Sequence, residues 1–164
     1  MYEKEALRVI EKFHRDLPKF SDGRINYTNS DTAPIITIFV KCEDEILLLK
    51  RSDKVSNYRG KWSVVAGYLD ELKSVKEKVL EEIQEELKLT SDLIQSIAIR
   101  EPYDFVDGSL NKTWLVYPVV VVLKEKPQIK LDWEHEEFRW INKGEWVNYD
   151  IVPTLVKSFK FFNF

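Results

Sequence analysis

The sequence predicts an α+β fold, an α/β/α sandwich in which helices flank a largely mixed β-sheet. Short runs of β-branched and apolar residues recur along the chain, with few of the strand–helix–strand alternations that a parallel sheet requires. Two other segments, 2–16 and 74–87, repeat their apolar residues at helical spacing. Because no linker or internal repeat interrupts this pattern, we expect one domain, 1–164, in which 1–32 form an N-terminal helix and its connector.

Composition restricts the function. Hydrophobic residues make up 44% of the chain and charged residues 32%, with a net charge of −3, which is typical of a globular domain and argues against polynucleotide binding. Cys42 is the only cysteine, so an internal disulfide and a cysteine-based zinc site are excluded. The longest apolar run, 115–123, contains Pro118 and is far shorter than the roughly 20 residues of a membrane span. The N-terminus lacks the pattern of a secretory signal, so a cytoplasmic protein without a membrane partner is expected.

The individual elements follow from local patterns. In the first helix, Leu7, Ile10 and Phe13 share one face, and Pro18 lies beyond its end. A polar stretch at 51–61 predicts a loop, and the last helix is expected at 153–162. Strands are predicted at 35–40, 45–49, 62–66, 94–99, 115–123 and 137–141.

The helix at 74–87 has the most regular pattern in the chain. Its apolar residues recur at every fourth position, at Val75, Val79, Ile83 and Leu87, and predict the face that packs on the sheet. Ser74, followed three residues later by Glu77, predicts a capping box, in which the two side chains bond to backbone amides at the start of the helix.

Glu82, Glu85 and Glu86 project from one side of this helix, because their spacing is i, i+3, i+4. The like charges of Glu82 and Glu86 disfavour the helix by roughly 0.2–0.5 kcal/mol. A divalent cation reverses that effect, and hard oxygen ligands suit Mg²⁺ or Mn²⁺. The spacing alone leaves a second interpretation open, namely a solvated helix face whose acids are balanced by neighbouring lysines.

The order of residues from 67 to 89 resembles the box of the Nudix hydrolase family, G-x5-E-x7-R-E-U-x-E-E-x-G-U, where U is a bulky aliphatic residue. The register is kept without a gap at Gly67, Glu82, Ile83, Glu85, Glu86 and Leu89. Three positions depart from it: Lys73 replaces the first Glu, Glu81 the Arg, and Lys88 the second Gly. In the family that Glu and Arg are expected to interact, so we expect Lys73 and Glu81 to keep the contact with reversed polarity.

The resemblance implies the Nudix fold and a metal-dependent hydrolysis of a pyrophosphate bond in a nucleoside diphosphate linked to another moiety. It implies Mg²⁺, with Mn²⁺ as a substitute, held by the Gly67 carbonyl and the carboxylates of Glu82, Glu85 and Glu86. Glu82 and Glu134 are the candidates for the catalytic base. The residues expected to bind the small-molecule substrate are Arg51, Lys61, Trp62 and Tyr103.

Other functions are weighed against this one. The three departures motivate a Nudix-fold domain that binds a nucleotide or metabolite without hydrolysing it, whereas the intact Glu82, Glu85 and Glu86 argue against it. An isopentenyl-diphosphate isomerase is disfavoured, because that chemistry would need an active-site cysteine and Cys42 lies outside the expected site. The remaining alternative is a protein in which this helix has only a structural packing role. The sequence leaves the substrate open among nucleoside triphosphates, ADP-ribose, dinucleoside polyphosphates, sugar nucleotides and oxidised nucleotides. The aromatics at 159–164, read as exposed, suggest a homodimer.

Overall fold

The structure, a computed structural model, describes all residues from Met1 to Phe164. Its helices are α1 (Tyr2–Asp16), α2 (Val75–Leu87) and α3 (Val156–Phe161). Its strands are β1 (Thr32–Cys42), β2 (Glu45–Arg51), β3 (Trp62–Ser63), β4 (Val65–Tyr68), β5 (Ile94–Ile99), β6 (Tyr103–Asp107), β7 (Lys112–Leu123) and β8 (His135–Ile141). Short 3₁₀ turns lie at Ser91–Leu93, Glu145–Asn148 and Pro153–Leu155.

All eight strands belong to one mixed sheet. The two long central strands, β1 and β7, pair in parallel, and every other pairing is antiparallel. Strand β4 pairs with the first half of β1, from Ile35↔Tyr68 to Ile38↔Val65, whereas β2 pairs with its end. The predicted architecture, a mixed sheet flanked by helices, is confirmed.

The apolar core lies on both faces of this sheet. On one face, Ile10 of α1 and the buried stripe of α2 pack against inward residues of the strands, including Ile38. On the other face, the next residue of β1, Phe39, packs against Phe159 of α3. This alternation is what a strand buried on both sides produces, and it fixes α2 firmly against the sheet.

Three predictions are corrected by these contacts. Phe159 is only 1% exposed and packs edge-on against Phe39, so the C-terminal aromatics are not an exposed patch; Phe161 alone is 65% exposed. Val64 interrupts the strand expected at 62–66. The last helix is shorter than expected, since residues 153–155 form a 3₁₀ turn.

Strand β6 was not predicted, although its residues alternate between half-buried and exposed positions. It pairs with β7 on the N-terminal side of Pro118, and β5 pairs on the other side. A proline fits the point at which the partner strand changes, because it cannot donate a ladder hydrogen bond. None of the helices has both the length and the apolar character needed to span a membrane.

Candidate active site

A cleft of about 750 Å³ lies beside α2. Its walls come from β4 and α2, from the loop after β2, from the segment just before β8 and from the 3₁₀ turn at Pro153–Leu155. The charged residues on its lining include Arg51, Asp70, Lys78, Glu82, Glu85 and Glu134. The cleft therefore brings two of the predicted metal ligands, Glu82 and Glu85, together with Glu134, which lies far from them in the sequence.

Local signals hold α2 in place at both ends. Ser74 accepts a hydrogen bond from the Glu77 amide, and the Glu77 side chain accepts one from the Ser74 amide, which confirms the predicted capping box. A second cap comes from α1, because the Val75 amide donates to the Glu3 carboxylate at 2.6 Å. The helix ends at Lys88, which takes the left-handed conformation at φ 57°.

Gly67 lies on β4 directly against Glu82 of the helix. A Cβ atom built at position 67 would overlap the Glu82 carboxylate, so any larger residue would displace the Glu82 side chain from its place in the cleft. The close approach, rather than an unusual backbone angle, is therefore what requires glycine here.

Glu86 is buried behind the cleft, with 2% of its side chain exposed. One of its oxygens accepts a hydrogen bond from the Ala66 amide at 3.4 Å, whereas the other, Oε2, has no hydrogen-bond partner. Burial raises the pKa of the Glu86 carboxyl well above its ordinary value, and the carboxylates of Glu82 and Glu134 raise it further. A buried carboxylate with an unpaired oxygen is costly unless a cation compensates it.

Glu82 lies in the cleft and forms an ion pair with Lys78. The Lys78 Nζ is 3.0 Å from Glu82 Oε1 and 3.5 Å from Asp70 Oδ1. Burial raises the pKa of Glu82 to about 7, against the opposing effect of the Lys78 ammonium. Burial alone would lower the pKa of Lys78, but the Glu82 and Asp70 carboxylates raise it above its ordinary value. No local pattern in the sequence marks Lys78 or Asp70 as site residues.

Glu134 and Arg51 both line the cleft, and their charges interact. Burial raises the pKa of Glu134, and Asp132 adds to this effect while Arg51 opposes it. Burial lowers the pKa of Arg51 from its ordinary value, and the charges of Glu134 and Glu86 oppose that. Arg51 Nε donates to the Asn57 carbonyl at 3.0 Å, and the Ser52 amide donates to the Glu134 carbonyl at 2.8 Å. The first bond holds the loop after β2, and the second joins that loop to the residue just before β8.

The strand predicted at 137–141 begins two residues earlier, at His135, which is buried. Its Nδ1 lies 3.4 Å from Asp132 Oδ1 and 3.7 Å from Glu86 Oε2. Burial lowers the pKa of His135, which Asp132 opposes. The glutamates on either side of His135 indicate an acidic segment, but no local pattern indicates that the histidine itself is buried.

Three of the predicted substrate-binding residues lie outside the cleft lining. Lys61 forms an ion pair with Asp150 at 2.7 Å. Trp62 packs edge-on against Tyr149, and both rings lie against the part of the core that contains Phe39 and Phe159. Tyr103 donates to the Thr154 carbonyl at 2.6 Å, and since Thr154 lines the cleft, Tyr103 supports the cleft wall from behind.

The reversed ion pair is present. Lys73 Nζ lies 2.8 Å from Glu81 Oε1 and 3.0 Å from Glu71 Oε2. The side chains of Lys73 and Glu81 are each more than one-third exposed, and hydrogen bonds from Glu81 and then Glu71 raise the pKa of Lys73. The expected contact with opposite polarity is therefore confirmed.

The residues fit a divalent cation in their chemistry, although no three metal-ligating side chains are already gathered in a coordinating arrangement. The unpaired Oε2 of Glu86 and the carboxylates of Glu82 and Glu85 are hard oxygen donors of the kind that Mg²⁺ prefers. What holds Glu82 now is the Lys78 ammonium, so a cation would need to rearrange that pair.

Comparison with protein families gives a match to the NUDIX domain over residues 31–159. A comparison with functionally curated proteins finds no match. Among solved structures, a MutT protein from Methanosarcina mazei Go1 is 25% identical, with a TM-score of 0.60, and the match covers 78% of this chain and 89% of that one. A Caenorhabditis elegans Ap4A hydrolase is 16% identical, with a TM-score of 0.62 and coverage of 79% and 94%. An Escherichia coli dihydroneopterin triphosphate pyrophosphohydrolase is 15% identical, with a TM-score of 0.65 and the same coverage of 79% and 94%.

Proposed function

Since the chain belongs to the NUDIX domain family, we propose that it hydrolyses a pyrophosphate bond in a nucleoside diphosphate linked to another moiety. The cofactor is Mg²⁺, with Mn²⁺ as a substitute. The observation that carries this proposal concerns Glu86. Its carboxylate is buried behind the cleft that Glu82 lines, and one of its oxygens has no hydrogen-bond partner. A domain that only packed helices would have no use for such a costly group.

The cation would be held by the carboxylates of Glu82, Glu85 and Glu86 and by the Gly67 carbonyl. Bound there, it supplies charge neutralisation at the phosphate oxygens and lowers the pKa of an attacking water. The protein holds these oxygens in place, because α2 is capped at its start and Gly67 lets β4 approach Glu82 closely.

Glu134 and Glu82 are the two candidates for the base that takes a proton from the attacking water. Both carboxyls line the cleft. We favour Glu134, because it has no ion-pair partner within 4 Å while Glu82 is held by Lys78. Arg51 lines the same cleft and presents a guanidinium that can bind a phosphate group bidentately.

The substrate roles predicted for Lys61, Trp62 and Tyr103 stay predictions, and their positions favour supporting roles. Tyr103 holds the cleft wall in place through its hydrogen bond to Thr154. Trp62 packs against the part of the core that includes Leu155, which also lines the cleft. We therefore place substrate contacts at Arg51 and at the cleft-facing surface of α2.

The test is chromatographic separation of the products formed from a panel of nucleotides with Mg²⁺, because cleavage of the pyrophosphate bond leaves a nucleoside monophosphate whichever moiety is attached. The panel takes one member of each open class, from nucleoside triphosphates to sugar nucleotides. We expect Glu82→Gln and Glu86→Gln to lower the rate about a hundredfold or more. Glu101→Gln is the control, since Glu101 is exposed and lies outside the cleft. Hydrolysis that survives both cleft variants unchanged contradicts the proposal.

A second candidate function has an observation in its favour. The Lys78 ammonium already neutralises Glu82, as it would in a domain that binds a nucleotide or metabolite without hydrolysing it. Nucleotide binding measured by calorimetry, with no turnover at any Mg²⁺ or Mn²⁺ concentration, would establish this alternative.

A further inference from the structure

Lys78 places a positive charge inside a cleft built from carboxylates. Its side chain is only 10% exposed, and its Nζ lies between Glu82 Oε1 at 3.0 Å and Asp70 Oδ1 at 3.5 Å. Lysine is almost never buried unless it is paired. Two flanking carboxylates are therefore the reason that this ammonium is stable here.

The Glu82 carboxylate has little freedom to avoid Lys78. Residues 78 and 82 are one helical turn apart on the same face of α2. Gly67 lies against the same oxygen, Oε1, so close that a Cβ at that position would overlap it. A second cation therefore reaches Oε1 of Glu82 only beside the ammonium or in its place.

Asp70 offers Lys78 a second partner. Its Oδ1 is buried and accepts no hydrogen bond, although Lys78 lies only 3.5 Å away. Its other oxygen, Oδ2, faces Arg24 at 3.7 Å. A small movement of the ammonium toward Asp70 would complete a bond that is now missing and would release Glu82.

We propose that Lys78 is a built-in counter-ion that competes with the divalent cation for Glu82 and moves to Asp70 when the cation binds. The inference rests on the proposed function, because it assumes that Glu82 is a metal ligand. It follows that the free protein binds metal weakly, and that the charge on Lys78 sets how much Mg²⁺ or Mn²⁺ the site requires.

The experiment measures Mn²⁺ binding to the protein without substrate, by electron paramagnetic resonance or calorimetry. Removing a like charge next to the site in Lys78→Met should lower the Kd for Mn²⁺ by about tenfold. Asp70→Asn should raise it, because Lys78 then has no second partner. These opposite effects are not expected of two residues that merely stabilise the fold.

Two variants serve as controls. Lys76→Met removes the same charge from an exposed position on the same helix and should leave the Kd unchanged. Lys78→Arg keeps the charge and should stay within a few-fold of the native protein. Circular dichroism checks that each variant is folded, and Lys78→Gln replaces Lys78→Met if the latter unfolds. An unchanged Kd in the folded, uncharged variant overturns the proposal.

A measurement on the native protein gives an independent result. The NMR signal of the Lys78 side-chain ammonium, assigned by its loss in Lys78→Arg, should shift as Mg²⁺ is added and saturate with metal binding. A signal that stays constant while metal binds overturns the inference but leaves the proposed function standing. A native protein that binds no metal, with Glu86→Gln behaving identically, refutes the proposed function itself.

Discussion

Lys88 ends the central helix in a conformation that favours glycine. Its φ is 57° and its ψ 33°, and its amide donates to the Gln84 carbonyl at 3.0 Å. The left-handed conformation costs a residue with a Cβ about 1–2 kcal/mol, whereas glycine adopts it freely but loses about 0.4–1 kcal/mol through the entropy of the unfolded chain. The balance predicts that Lys88→Gly is more stable than Lys88→Ala by about 0.5–1 kcal/mol.

The comparison with alanine is needed because the lysine side chain also contributes. Lys88 Nζ donates to the Glu85 carbonyl at 2.6 Å, and a cation at a helix C-terminus stabilises by roughly 0.3–1 kcal/mol. Relative to the native protein, Lys88→Gly therefore gains stability from the backbone but loses most of that gain because the lysine amine is missing. Lys88→Ala and Lys88→Gly both lack the amine, so their difference isolates the backbone effect.

Equilibrium unfolding in urea measures both variants, and a control at Lys76 sharpens the result. Lys76 is exposed in the interior of the same helix, where Lys76→Gly should be less stable than Lys76→Ala by about 1 kcal/mol. The difference in unfolding free energy between the Gly and the Ala variant should thus have opposite signs at positions 76 and 88. If Lys88→Gly is no more stable than Lys88→Ala, the left-handed helix end does not limit stability.

Three further predictions concern contacts outside the metal ligands. The pair of Lys73 and Glu81, at 2.8 Å and partly exposed, should show a coupling of about 0.5 kcal/mol in a double-mutant cycle of Lys73→Glu and Glu81→Arg; additive effects on stability would refute the pair. Glu3→Ala should cost about 1 kcal/mol, because it removes the bond that the Val75 amide makes, and thermal unfolding should show Glu3→Gln to be milder. Burial raises the pKa of Asp107, but hydrogen bonds from its neighbours outweigh this and lower it below the ordinary value. Its contribution to stability is therefore present at neutral pH and is lost as pH falls below about 4. Asp107→Asn should weaken the acid dependence of unfolding, and an unchanged pH profile would contradict this.

The features that the sequence predicted well are those that local patterns determine. The capping box of Ser74 and Glu77 and the buried stripe of α2 depend on residues three or four apart, so the helix could be placed almost to the residue. The pair of Lys73 and Glu81 was also predictable, since both positions lie in one continuous motif. Local spacing fixed which carboxylates share a face of the helix.

The features that the sequence left hidden depend on contacts between distant segments. The other lysine of this glutamate-rich helix, Lys76, is exposed, and only the approach of Asp70 and the packing of α2 on the sheet show that Lys78 is buried. Tyr103 was expected to bind the substrate, but the partner that holds its hydroxyl, Thr154, lies about fifty positions further along the chain. Aromatic type alone does not distinguish a binding surface from a wall support.

The balance of charge in the cleft connects metal binding to substrate binding. Six carboxylates, among them those of Glu82, Glu85 and Glu134, line the cleft together with four cations, and one of the cations, Lys78, is already paired with Glu82 and Asp70. A polyphosphate entering this space alone would meet like charges at close range, which costs free energy in a partly desolvated site. A divalent cation reverses that sign for both the carboxylates and the phosphates. Affinity for a nucleotide should therefore rise with Mg²⁺ concentration even in a variant too slow to hydrolyse it, and Lys78 determines the concentration at which this happens.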